Sequence, residues 1–453
     1  MLDTSRCVRA FNTLAAAARA AVRLASKRCL SQAARCSFVE VCVIKRILAG
    51  LRRVTSSGMY DARLDGLRAL AILPVVLFHD ALRGRRVVAA IRPLTDAEQA
   101  LTDMVPRGEA GVMLFFFISG FIIAFPFLRA AARAQPPPSV GTFYKRRLLR
   151  LVPAYLIALT GCFLALQLSG YAPTDAPKFN AISTPLPLSY LASLFYQHNM
   201  ILGAASRILP PLWSLEIEFQ FYLVAPFLLT WYARADVVRR RSAAVIFILL
   251  GIAVATLPGL AHLLGSRLSL SLLGYIHFFG AGMLASDIMF TRKPALSVWG
   301  DVLCVAGFAT LLAISTFVPH DPFQGALRET GLLAGVLATY WGGMLGRHAS
   351  KFLAAAAVSV IGGACYSIYL VHVPIIQAWS ELVKRVAPPP ASLAESWLLM
   401  LPAIPVALAA GLVFFALIEH PTMKPDWPQR LSQRLVLLWQ RLGLRGRQAD
   451  RAQ

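Results

Sequence analysis

Between Leu64 and Asp80 the sequence LDGLRALAILPVVLFHD places an arginine near one end of an apolar run and a histidine near the other. Arg68 and His79 stand eleven positions apart. At about 100° per residue that is three turns plus roughly 20°, so a helix presents both on one face. Along the axis they are about 16 Å apart at 1.5 Å per residue, roughly half the thickness of a bilayer's hydrocarbon core. Asp65 falls on nearly the same stripe, one turn before Arg68. A neutral imidazole accepts and returns a proton at physiological pH, which is the chemistry that activates a hydroxyl nucleophile. A lone histidine in an apolar helix is ordinarily satisfied by a neighbouring carbonyl. A guanidinium and a carboxylate on the same stripe, with Asp80 adjacent, turn the reading toward catalysis. Charge is costly to expose to lipid, so Arg68 and His79 are expected to look into one sheltered chamber that forms the wall of an active site.

Four further segments supply polar groups inside apolar runs. FYKRRLLRLVP at 143–153 sets Arg147 and Arg150 one turn apart, and the planar guanidinium fork is suited to phosphate because it donates two hydrogen bonds at once. Lys145 and Arg146 read as topology signals, whereas Arg150 already lies within the apolar run and needs a partner or must snorkel. PLWSLEIEFQFY at 211–222 holds Glu216 and Glu218. These lie about 200° apart, so only one faces a given cavity; Glu218 is the candidate to orient His79 or offset an arginine, with a structural ion pair as the competing reading. GVMLFFFISGF at 111–121 offers Ser119 and a close helix approach at Gly120. YSIYLVHVP at 366–374 adds Tyr366, Tyr369 and His372, the second candidate base. Asp65, Ser119, Trp213, Tyr366 and His372 are expected in supporting roles, and Glu419 is expected to neutralise a nearby basic group. There is no Walker-type glycine loop, HExxH or GxSxG, which argues against a nucleotide-driven pump, a zinc protease and an ordinary serine hydrolase.

The elements that must position these residues are membrane helices. Hydrophobic residues make up 57% of the 453, charged residues 15%, and the mean hydropathy is +0.61, so the expected class is all-α, a polytopic bundle of about ten transmembrane helices. The candidate spans are 67–82, 110–128, 148–168, 212–232, 243–261, 270–290, 296–318, 329–346, 360–381 and 396–418. The net charge of +23 sits in short loops rather than on a soluble basic face, which excludes nucleic acid as the partner and favours anionic lipid. Basic connectors such as Arg239 to Arg241 alternate with poorer ones, apart from the arginine-rich first loop. Both termini are therefore expected in the cytoplasm, the domains being a basic extension at 1–58, a membrane domain at 59–422 and a basic tail at 423–453. Met59 is a candidate initiator that competes with Met1. Four of the seven cysteines precede the first span, and Cys162, Cys304 and Cys365 are singletons in apolar segments; no metal site or disulfide framework is expected. The connector at 170–211 is long, and its apolar Leu188 to Leu202 portion is expected to be re-entrant or interfacial.

Taken in order, these segments resemble the acyltransferase-3 family of integral-membrane acyltransferases. The resemblance runs from Leu64 to Pro421 through six elements: Arg68 with His79, GVMLFFFISGF, Arg147 with Arg150, WSLEIEFQFYL, YSIYLVHVP and the closing EHP at 419–421. It departs from the family pattern at Met113, where an acidic or polar residue is frequent, and at Phe219, where a second glutamate often follows. The resemblance implies no bound cofactor but an acyl-CoA co-substrate, commonly acetyl-CoA, approaching from the cytoplasm with Arg147 and Arg150 near its phosphates. It also implies His79 at the reacting centre and a hydroxyl acceptor on a carbohydrate or lipid-linked glycan. The SGNH-type domain fused to some relatives is not expected in the roughly thirty residues after Pro421.

The expected function is an O-acyltransferase of the bacterial inner membrane, with His79 as general base, Arg68 and Glu218 in support and Arg147 and Arg150 on the donor. The alternative is a non-enzymatic transporter or lipid-binding protein whose intramembrane charges line a path.

Overall fold

In the computed structural model of the chain, the described residues are 50, 60–170, 184–257, 267, 270–291, 295–424, 426–430, 432–433, 436–437 and 440. Contacts divide the chain into Met1–Arg52 and Arg53–Gln453, and the architecture below belongs to the second unit. Met59 and nearly all of the extension before it lie outside the described residues.

The chain runs through α1 (Ala62–Ala89), α2 (Asp96–Asp103), α3 (Glu109–Ala132), α4 (Val140–Ser169), α5 (Leu186–Leu194), α6 (His198–Leu202), α7 (Leu212–Arg234) and α8 (Val237–Thr256). It continues through α9 (Leu272–Thr291), α10 (Val298–Thr316), α11 (Pro322–Leu345), α12 (Arg347–Ala354), α13 (Ala356–Gly363), α14 (Cys365–Val386), α15 (Leu393–Met400) and α16 (Ala403–Phe414), then a π-helical turn at Phe415–Glu419. Among the described residues the only pairing outside helices is an isolated bridge between Ser297 and Gly346.

The all-α class holds, and the described residues account by length and composition for six or seven of the ten expected spans. Among the described residues α3, α4, α7, α9, α10 and the run Leu393–Thr422 are long and apolar enough to cross a bilayer, and α13 with α14 makes a seventh if the bent pair is one span. The other three expected spans fall on α1, α8 and α11, which carry charge where a lipid-facing helix carries none. Asp65, Arg68 and Asp80 sit inside α1, Arg239 to Arg241 open α8, and Arg328 and Glu329 lie in α11. Their charge keeps these three below the length and composition expected of a lipid-facing span.

Helix ends follow local chemistry. Asp61 caps α1 by accepting the Arg63 N–H, and Ser139, Asp236, Ser297 and Asp321 cap α4, α8, α10 and α11 in the same way. The short α2 starts in a capping box formed by Thr95 and Glu98. Glu98 also accepts from the Arg92 guanidinium at 2.7 Å and from the Leu393 N–H at 2.9 Å, tying α2 to the start of α15. The bond from Arg92, then those from Thr95 and Leu393, hold its carboxyl well below the usual carboxylate range.

Small residues let the buried helices approach. α3 packs on α9 with Gly120 against the Phe279 carbonyl and Gly282 against the Phe117 carbonyl. α13 and α14 bend by 72° at Ala364, and at the end of α13 an added Cβ on Gly362 would overlap the Asp65 carbonyl of α1. The bend fixes Cys365 as the first residue of α14. We expect Gly362→Val to destabilise the fold by about 1 to 3 kcal/mol because the obstruction is backbone and cannot give. Gly161→Val, with nothing within 4 Å of its added carbon, serves as the control. Thermal unfolding of the detergent-purified protein should show several degrees lost in the first and none in the second.

The described part of the long connector, from 184 on, packs against α4 and α7, and its apolar portion forms α5 and α6. Ser189 hydrogen-bonds His198 Nε2 at 2.8 Å, His198 Nδ1 donates to the Ala204 carbonyl at 2.7 Å, and Tyr155 donates to the Ser193 carbonyl at 2.7 Å. Glu216 accepts the Asn199 N–H at 2.8 Å, so this carboxylate holds the start of α6 and belongs to the architecture. Tyr196 stacks on Tyr155 and on Phe219 with ring centroids 4.0 and 4.7 Å apart.

Candidate active site

α1, α3, α4, α7 and α14 enclose a cavity whose polar lining comes from Arg68, Ser119, Arg147, Arg150, Glu218 and a set of tyrosines and serines. Each of these was singled out in the sequence except Ser214, Tyr222 and Cys365, which also line it. Tyr222 was legible in principle, since it follows Glu218 by four residues and so shares its face. Cys365 belongs to the wall of the cavity as well as being a buried thiol. Trp213 does not line the cavity; its ring lies against Tyr275 with centroids 5.6 Å apart.

The three arginines differ in how their charge is committed. Arg68 Nη1 donates to Asp65 Oδ1 at 2.6 Å, an ion pair one turn apart on α1 with both groups largely buried. Arg150 Nη2 faces Glu419 Oε1 at 3.5 Å, and Glu419, fully buried, also accepts from Ser367 Oγ at 2.6 Å. Glu419 thus neutralises a basic group, and the partner is Arg150. Arg147 has no carboxylate partner among the described residues. Its guanidinium lies over the rings of Phe143 and Tyr222, 5.6 and 5.1 Å from their centroids. Of the three, it is the cation free to meet an anion entering the cavity.

Glu218 is the acid counterpart. Its Oε1 accepts from both the Ser119 hydroxyl and the Tyr222 hydroxyl, the latter at 2.5 Å. Its Oε2 has no partner among the described residues, which leaves one carboxylate oxygen able to accept a hydrogen bond from a bound molecule. Glu216, about 200° round the same helix, is turned away to α6, so the two carboxylates divide between cavity and scaffold. Tyr369 lines the cavity too. Its hydroxyl donates to the Pro211 carbonyl at 2.5 Å and accepts from Ser214 at 2.6 Å.

His79 stands apart from this group. It is partly exposed and is not among the residues lining the cavity. Its ring meets that of His372 edge-on with centroids 5.0 Å apart, and His372 in turn lies against the ring of Tyr369, centroids 5.7 Å apart. The expected single chamber is therefore two stations: Arg68 in the cavity wall, and His79 three turns further along α1, joined to the cavity-lining Tyr369 by ring contacts through His372. α1 and α14 run in the same direction, since Gly362, just ahead of α14, lies against Asp65 while His372 lies against His79. The His79 Nδ1 is 2.8 Å from the Val75 carbonyl. A carbonyl only accepts, so the proton of the neutral ring is on Nδ1 and the lone pair of Nε2 is bare.

Among the described residues no cluster of three or more histidine, cysteine, aspartate or glutamate side chains is arranged to hold a metal ion.

Comparison with known proteins adds to this geometry. The model of the acyltransferase-3 family, described as an acyltransferase domain, matches residues 61–418. Over 345 residues the chain is 27% identical to the O-acetyltransferase OatA of Staphylococcus aureus, covering 70% of this chain and 51% of that protein. Over 367 residues it is 25% identical to the peptidoglycan O-acetyltransferase OatA of Listeria monocytogenes, covering 75% and 53%. It is 28% identical over 171 residues to the acyltransferase MdmB of Streptomyces mycarofaciens, covering 37% and 38%. The chain spans about half the length of the first two of these curated relatives. No solved structure matches it.

Proposed function

The chain belongs to the acyltransferase-3 family, and from that membership we propose that it is an O-acyltransferase of the bacterial inner membrane. In this reading it moves an acyl group, foremost acetyl, from acyl-CoA to a hydroxyl of a cell-wall carbohydrate or lipid-linked glycan. Residues 59–422 form the catalytic domain and 423–453 a basic cytoplasmic tail, with both termini in the cytoplasm. Two relatives named for O-acetylation, one of peptidoglycan, support the acceptor class.

The observation that carries the reading is the uncommitted Arg147 guanidinium in one cavity with Arg68 and Arg150, with a bare imidazole nitrogen further along the same helix as Arg68. Phosphate of the donor is met at Arg147, with Arg150 behind it. The pantetheine arm passes Glu218, whose Oε2 accepts from it, and transfer requires its thioester carbonyl to be carried beyond the cavity, past Tyr369 and His372, to Nε2 of His79. As the acceptor oxygen attacks the carbonyl carbon, its proton passes to His79 Nε2. The carbon–sulfur bond breaks, and the thiolate of CoA takes the same proton back.

The test uses purified protein in detergent or nanodiscs, radiolabelled acetyl-CoA and a cell-envelope extract. Label is expected in a glycan and should be released by mild base as an ester. Substrate uptake into vesicles with no labelled glycan would instead favour the transporter reading.

A further inference from the structure

We infer that His372 is a positioning residue that accepts from His79 Nδ1 beside the Val75 carbonyl, reinforces the tautomer that carbonyl fixes and stabilises the protonated form of His79; it is not a second base. This rests on the acyltransferase reading above and deepens it. His372 is fully buried and three residues beyond Tyr369 on α14. Its Nδ1 lies 2.8 Å from the Tyr369 carbonyl and 3.2 Å from the Ile368 carbonyl. Two acceptors on one nitrogen require the proton there, which leaves Nε2 of the neutral ring with a lone pair. That Nε2 is 3.3 Å from His79 Nδ1, the nitrogen that also faces the Val75 carbonyl at 2.8 Å. The His79 N–H is thus shared between a carbonyl of its own helix and an imidazole lone pair of α14.

The consequence is a defined order of roles. His372 can accept but has no lone pair left for substrate, while His79 keeps Nε2 for the acceptor hydroxyl. When Nε2 takes that proton, the Nδ1–H becomes a charge-assisted donor toward His372 Nε2 and Val75, and both contacts strengthen. The proton on His372 Nδ1 does not move, and the proton taken by His79 leaves with the CoA thiol. The arrangement uses one imidazole as the orienting group for another, a task done in serine hydrolases by a carboxylate.

Two variants of the full chain test it. His372→Phe keeps volume and removes the acceptor; His372→Gln retains an oxygen that can accept from His79. Transfer to the envelope acceptor should show kcat lowered about 30-fold in His372→Phe, with KM for acyl-CoA within twofold of wild type, and kcat recovered severalfold in His372→Gln. On the unsubstituted protein, nitrogen-15 NMR of labelled histidines should show both His79 and His372 protonated on Nδ1, which decides the tautomers even if a variant fails to fold. Unchanged kcat in His372→Phe, equal losses in both variants, or an Nε2-protonated His372 would overturn the assignment. Absence of transfer from any acyl-CoA in wild type would strike the acyltransferase reading itself, whereas normal turnover in His372→Phe would strike this inference alone.

Discussion

Replacing His79 with alanine is expected to lower acyl transfer by about 10³-fold or more, at the upper part of the range for loss of a general base. The protein should remain folded, because His79 is partly exposed and, among the described residues, its side chain bonds its own helix carbonyl and His372. KM for acyl-CoA should change little, since the cavity that holds Arg147 does not include His79. Initial rates with labelled donor, together with a size-exclusion profile and melting temperature, separate the two effects. Transfer persisting at wild-type rate in a well-folded His79→Ala protein would remove the imidazole from the chemistry and direct attention to Glu218 in the cavity.

The second large effect distinguishes two arginines that look alike in sequence. Arg147→Gln should raise KM for acyl-CoA roughly 10- to 100-fold with kcat within a few fold, because one charge-assisted contact is worth about 1.5 to 3 kcal/mol. Arg150→Gln should act mainly on folding. It strands the fully buried Glu419, and breaking a buried pair from one side typically costs about 3 to 5 kcal/mol. Adding Glu419→Gln to Arg150→Gln should restore much of the lost stability, measured as the yield of monodisperse protein and its melting temperature. A lowered kcat with unchanged KM in Arg147→Gln would contradict a role in donor binding.

Much of the site was legible because helical periodicity is local. The stripe of Asp65, Arg68 and His79 and the split between Glu216 and Glu218 follow from about 100° per residue, and the Asp65–Arg68 contact is a one-turn pair. That the apolar portion of the connector forms ordered structure was legible from its sequence, although its ties through His198, Ser189 and Asn199 were not. The number of spans was less so, because apolar runs do not distinguish a helix bathed in lipid from one sheltered by others, and α1, α8 and α11 carry the charge that separates the two cases.

By itself the sequence determined the all-α membrane class, the family, and which residue types share a helix face, since each rests on composition or on spacings within one segment. Only the tertiary structure decided which charges are already spent. Arg150 finds Glu419 across 269 positions and His79 finds His372 across 293, and such pairings are set by how helices pack, which no single segment encodes. The same packing separated Arg68 from His79 into two stations and left Arg147 without a carboxylate partner among the described residues. Where an ion pair forms depends on the neighbour a folded chain supplies.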